Sequence, residues 1–493
     1  MLKNHNDNII NRFFKVMAAF WNSAAEYQFF VILAAMALLA ILPLFTVKLN
    51  DAANVVLNIT IFCVAAVAGF LLLRLKGSHL AAFTFAAALL LRLSLVFVLE
   101  SSTPYMLEGI RIRTNPWINH YDTTLFQPDE YFYFYQGQKY KDVTTREFIN
   151  SPQLKKHAYR ASFLMSRLFR FFGEQSFWPR VVGAFLGAFA AAFICLAAQN
   201  LFSKETAAIV SLICVIAPQT AFYSVSFLKE IWVILAMSII VFGFVMIIRN
   251  KKPITSILSI TTAIAILMWI RFEYGLIFIT AIPIAICFRH KNNLVGKTAA
   301  VLSMILLSAI IFSYQFNKLI YKAEELLDAR TIIKQGEQLG KLEAMDKIYK
   351  SRGPLRILNI PLVLLNLPPK NLHHIYSEEN KLYDIVRLAD IYQWWIPLPF
   401  LIIGAIVIFI KRTEFLAFLL PYIVGTSIAA LLLGGLQGDT IRYRDSLAPV
   451  AFIIIGTGIE SFMASPKGWK NRIITAVYIV FVLLAVYFYI RAF

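Results

Sequence analysis

The strongest chemical signal in this sequence is a pair of adjacent carboxylates, Asp129 and Glu130, which follow Pro128 in a polar stretch between apolar segments. Pro128 predicts the first turn of a helix, where the helix dipole favours negative charge. Ionisable groups beside a bilayer are costly to keep, so they indicate function. A carboxylate in a partly dry environment can act as a general base toward an attacking hydroxyl. The alternative is that both carboxylates only cap their helix.

The residues around this pair suit a sugar or a prenyl chain. Tyr131 and Tyr133 offer flat apolar faces with polar edges, although an interfacial aromatic belt would use the same residues. His120, Asp122 and Asp129 could bind a hard divalent cation, but their spacing matches no specific metal motif. We therefore assign no metal site and no certain cofactor.

Basic residues at predicted outer turns could hold a lipid phosphate. Lys229 would act as a point charge positioned by Glu230, and Arg271 lies at the next such turn. For both turns an ordinary interfacial ion pair is the alternative. Arg442 and Arg444 could grip a phosphate through forked hydrogen bonds. The positive-inside trend does not account for these two arginines, because they lie in a predicted outer loop.

The composition identifies an integral membrane protein. The chain has 493 residues, of which 59% are hydrophobic and 15% are charged, and its mean hydropathy is +0.67. A soluble protein of this size could not bury so much apolar surface. The net charge of +19 is explained by basic loops that orient the chain and attract anionic lipid heads, so it does not call for nucleic acid as a partner.

The apolar segments predict the topology. About thirteen of them approach the roughly 20 residues that a membrane span needs, near 29–47, 53–73, 80–99, 180–202, 206–224, 230–248, 254–270, 274–288, 298–315, 394–410, 413–433, 446–463 and 472–490. Basic loops between them place the N-terminus in the cytoplasm and two long loops, 100–179 and 316–393, on the outer face. Residues 1–28 are predicted to be a cytoplasmic amphipathic segment with no cleavable signal peptide, and residues 29–493 one transmembrane domain.

Local patterns predict helices in the first outer loop. Thr144 and Glu147 have the spacing of a capping box. Residues 158–172 have the amphipathic pattern of a helix that lies in the membrane interface. Arg92 stands inside an otherwise apolar span, where it would either snorkel to the surface or point into an internal cavity.

At these residues the chain resembles bacterial GT-C glycosyltransferases, in particular the family 39-like enzymes that use polyprenyl-phosphate sugars. Pro128-Asp129-Glu130, with Tyr133 shortly after, is similar to the acidic motif of their first outer loop. The similarity continues in order through Pro179-Arg180, Leu201-Phe202, Ala217-Pro218, Tyr223-Ser224 and Leu228-Lys229-Glu230, and later through Arg442-Tyr443-Arg444 and Pro449. The family typically has one span before the acidic loop, whereas three are predicted here.

The resemblance implies an all-α polytopic membrane protein of the GT-C type with outer-face amphipathic helices, in the bacterial inner (plasma) membrane. It implies inverting transfer of a hexosyl or pentosyl unit from a polyprenyl-phosphate donor to a hydroxyl of a lipid-linked or cell-envelope glycan. Asp129 would be the base, with Glu130 as its partner or an alternate base. Lys229, Arg442 and Arg444 would stabilise the departing phosphate. The expected substrate-binding residues are Tyr131, Tyr133, Glu230 and Arg271.

Two other functions fit parts of the sequence. An O-antigen or polysaccharide polymerase or ligase would use a glycan on polyprenyl pyrophosphate, and the outer-face arginines Arg160, Arg271, Arg442 and Arg444 are compatible with it. A lipid-linked-glycan flippase or transporter ranks third, because transporters usually have polar midplane helices and internal repeats. The early acidic pair favours the transferase that uses a monosaccharide donor.

Overall fold

The computed structural model is helical throughout the part of the chain that it describes. That part comprises residues 52–75, 78–106, 128–144, 157–173, 176–226, 228–249, 253–271, 396–412 and 446–465, with isolated positions beside these segments. The helices are α1 (Ala52–Leu75), α2 (His79–Met106), α3 (Pro128–Lys139), α4 (His157–Phe172), α5 (Phe177–Leu201), α6 (Lys204–Ile216), α7 (Pro218–Val225), α8 (Glu230–Ile248), α9 (Pro253–Ile270), α10 (Leu398–Lys411) and α11 (Ala448–Ala464).

Four of the described helices are long and apolar enough to cross a membrane: Val55–Arg74, His79–Leu99, Phe177–Leu201 and Glu230–Ile248. A fifth span results if α6 and α7, which meet at a bend of 49°, count as one broken span. These segments coincide with five of the predicted spans, so the chain is a helical membrane protein. The predicted spans at 29–47 and 298–315, and most of those at 274–288, 413–433 and 472–490, lie outside the described residues, as does the segment 1–28.

The chain divides into two compact units. The first contains Met1–Phe272, Pro368–Arg412 and Asp445–Phe493, and all the helices named above belong to it. The second contains Glu273–Leu367 and Thr413–Arg444. Among the few described positions of the second unit, Phe278 and Phe418 are buried and their ring centroids lie 5.5 Å apart.

Helix α5 is the centre of the first unit, where it packs against α2, α6, α7 and α8. Its small residues permit this. A Cβ added at Gly183 would lie 2.1 Å from the backbone oxygen of Ser224 in α7, and one at Gly187 would lie 2.1 Å from the Ser224 Oγ. Only glycine therefore lets α7 lie this close to α5, which is how small residues bring membrane helices together.

The break between α6 and α7 is caused by Pro218 and is stabilised by Arg92 from α2. Pro218 has no N–H to donate, so the carbonyl of Cys214 four residues earlier loses its helical hydrogen bond. Arg92 from α2, 1% exposed, donates from Nη2 to this carbonyl at 3.3 Å and from Nε to Ser224 Oγ at 3.0 Å. Arg92 therefore does not snorkel to the surface and does not point into an open cavity. Its hydrogen bonds stabilise the broken helix.

The helix start at Pro128, the capping box and the helix at 158–172 are confirmed as local conformations, whereas their position on the outer face stays a prediction. Pro128 begins α3, and residues predicted at 158–172 form α4. Thr144 and Glu147 form the reciprocal capping box: the Thr144 N–H donates to the carboxylate at 2.7 Å, and the Glu147 N–H donates to Thr144 Oγ1 at 3.2 Å. The hydrogen bond from the Thr144 backbone N–H is the main cause that lowers the pKa of Glu147. The hydrogen bond with the Thr144 side chain lowers this pKa further.

Candidate functional site

Several sequence-predicted residues meet at one end of the first unit. Helices α3 and α4, the turn between α7 and α8, and the end of α9 converge there. The "Lys229 cluster" consists of Tyr133, Arg160, Lys229, Glu230 and Arg271. Each of its members contacts another member or a neighbouring helix end. The sequence placed these residues in three separate turns and loops, and the fold brings them together.

Lys229 joins the acidic helix α3 to the start of α8. Its Nζ lies 5.8 Å from the centroid of the Tyr133 ring, within reach of a cation–π interaction. Tyr133 is 3% exposed and packs in an apolar cluster with Phe222, Tyr223 and Leu228. The beginning of α8 is thereby fixed against the helix that begins with the carboxylate pair.

Glu230 and Arg271 form a buried ion pair. The Arg271 Nη2 lies 2.7 Å from the Glu230 Oε1, and the side chains are 10% and 5% exposed for Arg271 and Glu230 respectively. Glu230 is the first residue of α8, where the helix dipole favours a negative charge. Arg271 follows α9, and its backbone N–H donates to the carbonyl of Leu267 at 2.7 Å. The pair therefore ties the beginning of α8 to the end of α9.

Helix α4 covers this end of the bundle through its arginines and its apolar face. Arg160 donates to the carbonyl of Trp269 at 2.8 Å, and Arg167 donates to the carbonyl of Val143 while its guanidinium lies 4.5 Å from the Phe163 ring centroid. The two arginines thus bind backbone carbonyls. Partial burial and the neighbouring charge of Arg170 lower the pKa of Arg167.

The residues one turn after the carboxylate pair on α3 have different neighbours. Tyr133 contacts Lys229, whereas Phe134 packs against Phe169 of α4 with ring centroids 5.0 Å apart. Positions three and four residues apart share one face of an α-helix. Asp129 is therefore in register with Tyr133, and Glu130 with both Tyr133 and Phe134. The side chains of Asp129, Glu130 and Tyr131 themselves lie outside the described residues.

An open groove lies beside Lys229. Its walls come from the apolar side chains of three helices: Leu164 and Leu168 of α4, Val182 and Leu186 of α5, and Ile231 and Trp232 of α8. Ser226 and Lys229 are the polar side chains of its lining, both from the turn between α7 and α8. The groove thus combines apolar walls with one cation, which suits an amphipathic ligand with a negatively charged head.

Other predicted residues are not tested by the structure. Arg442, Arg444, His120 and Asp122 lie outside the described residues. Within the described part of the chain, no group of three or more His, Cys, Asp and Glu side chains is arranged to hold a metal ion.

The sequence reasoning missed two sets of buried polar residues. Arg180 is fully buried and donates to the carbonyl of Val225 at 2.5 Å, so it fixes the end of α7 against α5. Gln219, directly after Pro218 in an apolar stretch, is hydrogen-bonded to Gln393 and Trp394. The sequence contained one signal for Gln219: an uncharged polar side chain that directly follows a proline inside a predicted span, where a helix break leaves backbone groups to be hydrogen-bonded.

Comparison with known proteins adds no family assignment. No protein-family model matches the chain, and no curated protein sequence matches it.

Proposed function

We propose that the protein is a membrane-embedded GT-C-type glycosyltransferase. It transfers a sugar from a polyprenyl-phosphate donor to a hydroxyl of a lipid-linked or cell-envelope glycan on the extracytoplasmic face of a bacterial inner membrane. The observation that carries the proposal is the position of Lys229, which lines the apolar groove and also contacts the helix that begins with Asp129 and Glu130.

The groove accounts for a lipid-phosphate donor. A prenyl chain gains from burial against aliphatic side chains, by about 25 cal/mol for each Å² of apolar surface removed from water. Lys229 supplies a point charge for the phosphate at the polar side of the groove. When the bond between sugar and phosphate breaks, negative charge grows on the departing phosphate, and a cation held in place stabilises it. By the resemblance, Arg442 and Arg444 add to this stabilisation.

The resemblance assigns Asp129 as the base, with Glu130 as its partner or an alternate base. Both carboxylates are one helical turn before Tyr133, which contacts Lys229. In this proposal Asp129 takes the proton of the acceptor hydroxyl as its oxygen attacks the anomeric carbon. The polyprenyl phosphate departs from the opposite side, so the anomeric configuration inverts. Glu130 supports the helix start.

The competing functions are less well supported by the same contacts. A polymerase of pyrophosphate-linked glycans is compatible with arginines at the predicted outer positions. Two of these, Arg160 and Arg271, bind the Trp269 carbonyl and the Glu230 carboxylate. A flippase would need no carboxylate beside a phosphate-binding lysine.

The test uses the purified protein in nanodiscs with radiolabelled polyprenyl-phosphate sugars and a lipid extract that contains native acceptors. We expect transfer of a single sugar unit, and Lys229→Met should lower kcat/KM by about 10²-fold, the scale of losing one electrostatic group at the leaving charge. Lys204→Met is the matched control, because Lys204 is an exposed lysine at the first residue of α6. Ladders of products from a pyrophosphate-linked glycan, with no transfer from any monophosphate donor, would refute the proposal in favour of a polymerase.

A further inference from the structure

A second polar cluster lies at the beginning of α7, away from the Lys229 cluster. The "amide cluster" consists of Gln219, Tyr223, Gln393 and Trp394. Gln219 donates its backbone N–H to Gln393 Oε1 at 3.0 Å, and it accepts from the Trp394 Nε1 at 3.1 Å. Its own Nε2 donates to the Tyr223 hydroxyl at 3.5 Å. Gln219 is 3% exposed and Trp394 is 5% exposed, whereas Gln393 is half-buried.

One donor of this cluster is not used within the protein. The Oε1 of Gln393 caps the beginning of α7, where backbone N–H groups have no helical partner. The Nε2 of the same side chain is buried and has no hydrogen-bond partner in the described part of the chain. An amide donor buried without a protein partner is costly, so a water or a ligand oxygen must accept from it.

The chemistry of the cluster selects the class of ligand. All four side chains are neutral, so the cluster itself offers no counter-charge to a phosphate or a carboxylate. Amides exchange hydrogen bonds with hydroxyl and acetamido groups, and the indole and phenol rings present apolar faces with polar edges. Neutral amides beside aromatic rings match a sugar ring better than an ion or a plain hydrocarbon chain.

The cluster is placed to act together with Lys229. From Gln219 to Val225, α7 rises about 9 Å at 1.5 Å per residue, and Ser226 then lines the groove beside Lys229. Tyr223 connects the two clusters, because it also packs in the apolar cluster that contains Tyr133. The separation is comparable to the length of a sugar 1-phosphate.

We propose that the amide cluster is the subsite for the sugar ring of the donor, in which Gln393 Nε2 donates a hydrogen bond to a hydroxyl or acetamido oxygen. This inference rests on the proposed glycosyltransferase function and adds the residues that recognise the sugar. Lys229 holds the phosphate, and Gln393 distinguishes a sugar-linked polyprenyl phosphate from the bare lipid.

The experiment measures binding of the full-length protein in nanodiscs to short-chain polyprenyl phosphates. The probes are the bare lipid phosphate and its glucose-, mannose-, galactose- and arabinose-linked forms. Wild type should bind one sugar-linked form more tightly than the bare lipid. Gln393→Met keeps the approximate shape of the side chain but removes both the Nε2 donor and the Oε1 that accepts from the Gln219 N–H. It should reduce this preference about tenfold, the scale of one lost hydrogen bond to the sugar.

The bare lipid is the internal control for folding, because its affinity should stay within about twofold in Gln393→Met if only sugar recognition is lost. Trp394→Phe, which removes the indole donor to Gln219, should also reduce the preference. An unchanged preference in Gln393→Met, or an equal loss of affinity for both lipids, overturns the subsite. If wild type itself prefers no sugar-linked form, the glycosyltransferase proposal fails, and the subsite fails with it.

Discussion

The buried ion pair between Glu230 and Arg271 permits a sharp test of the site's architecture. The two charges lie 2.7 Å apart, and both side chains are at most 10% exposed. Removing one partner leaves the other charge buried and unbalanced, which typically costs about 3–5 kcal/mol. We therefore expect Glu230→Met and Arg271→Met each to reduce the free energy of unfolding by about 3 kcal/mol.

The double variant distinguishes a buried ion pair from two independent contacts. Replacing both members by apolar residues of similar size is often neutral, so only the interaction of Glu230 with the dipole of α8 should be lost, about 1 kcal/mol. The double variant should thus be more stable than either single variant.

The assay is denaturant unfolding of the purified protein in mixed micelles, followed by the circular dichroism of its helices. Glu205→Met is the control, because Glu205 is exposed in the first turn of α6, and a surface change of this kind is expected to cost less than about 0.5 kcal/mol. A double variant whose loss equals the sum of the single losses would refute the coupling. A Glu230→Met protein as stable as wild type would refute the burial itself.

Further predictions concern helix packing, the helix break and the capping box. Gly183→Ala should destabilise the protein by about 1–3 kcal/mol through overpacking, whereas Gly468→Ala, whose added Cβ has no neighbour within 4 Å, should be neutral in the same titration. Arg92→Met should cost about 2 kcal/mol, because the buried carbonyl at the break loses its donor; equal unfolding midpoints for this variant and wild type would contradict that role. The pKa of Glu147 is lowered in the folded state, so its stabilisation is present above the ordinary glutamate pKa and lost as the pH falls through the lowered value. The protection factor of the Thr144 N–H, which is the exchange rate of an unstructured peptide divided by that of this N–H at the same pH, should therefore fall on acidification in wild type; an unchanged protection factor would contradict the capping contact.

Local features of the fold could be predicted from the sequence because their causes are local. The apolar runs of α2 and α5 are long enough to identify spans, Pro128 marks a helix start, and the spacing of Thr144 and Glu147 predicts their mutual hydrogen bonds. Each of these depends on residues within one element.

The contacts that assemble the site could not be predicted, because they join residues far apart in the chain. Gln219 and Gln393 are separated by 174 positions, and Glu230 and Arg271 by 41. Lys229 and Arg271 look alike in sequence as basic residues at predicted turns. Only packing shows that Arg271 is bound to a carboxylate while Lys229 lies over a tyrosine and lines a groove.

The most direct test of the central claim is single-sugar transfer from a polyprenyl-phosphate donor, measured for wild type, Asp129→Asn, Glu130→Gln and the control Glu205→Gln. Glu205 occupies the first turn of α6 as the acidic pair occupies that of α3. The account predicts transfer by wild type, a loss of about 10²–10⁴-fold in kcat for Asp129→Asn as expected for a general base, a smaller loss for Glu130→Gln, and no change for Glu205→Gln. Normal turnover in both Asp129→Asn and Glu130→Gln would contradict it.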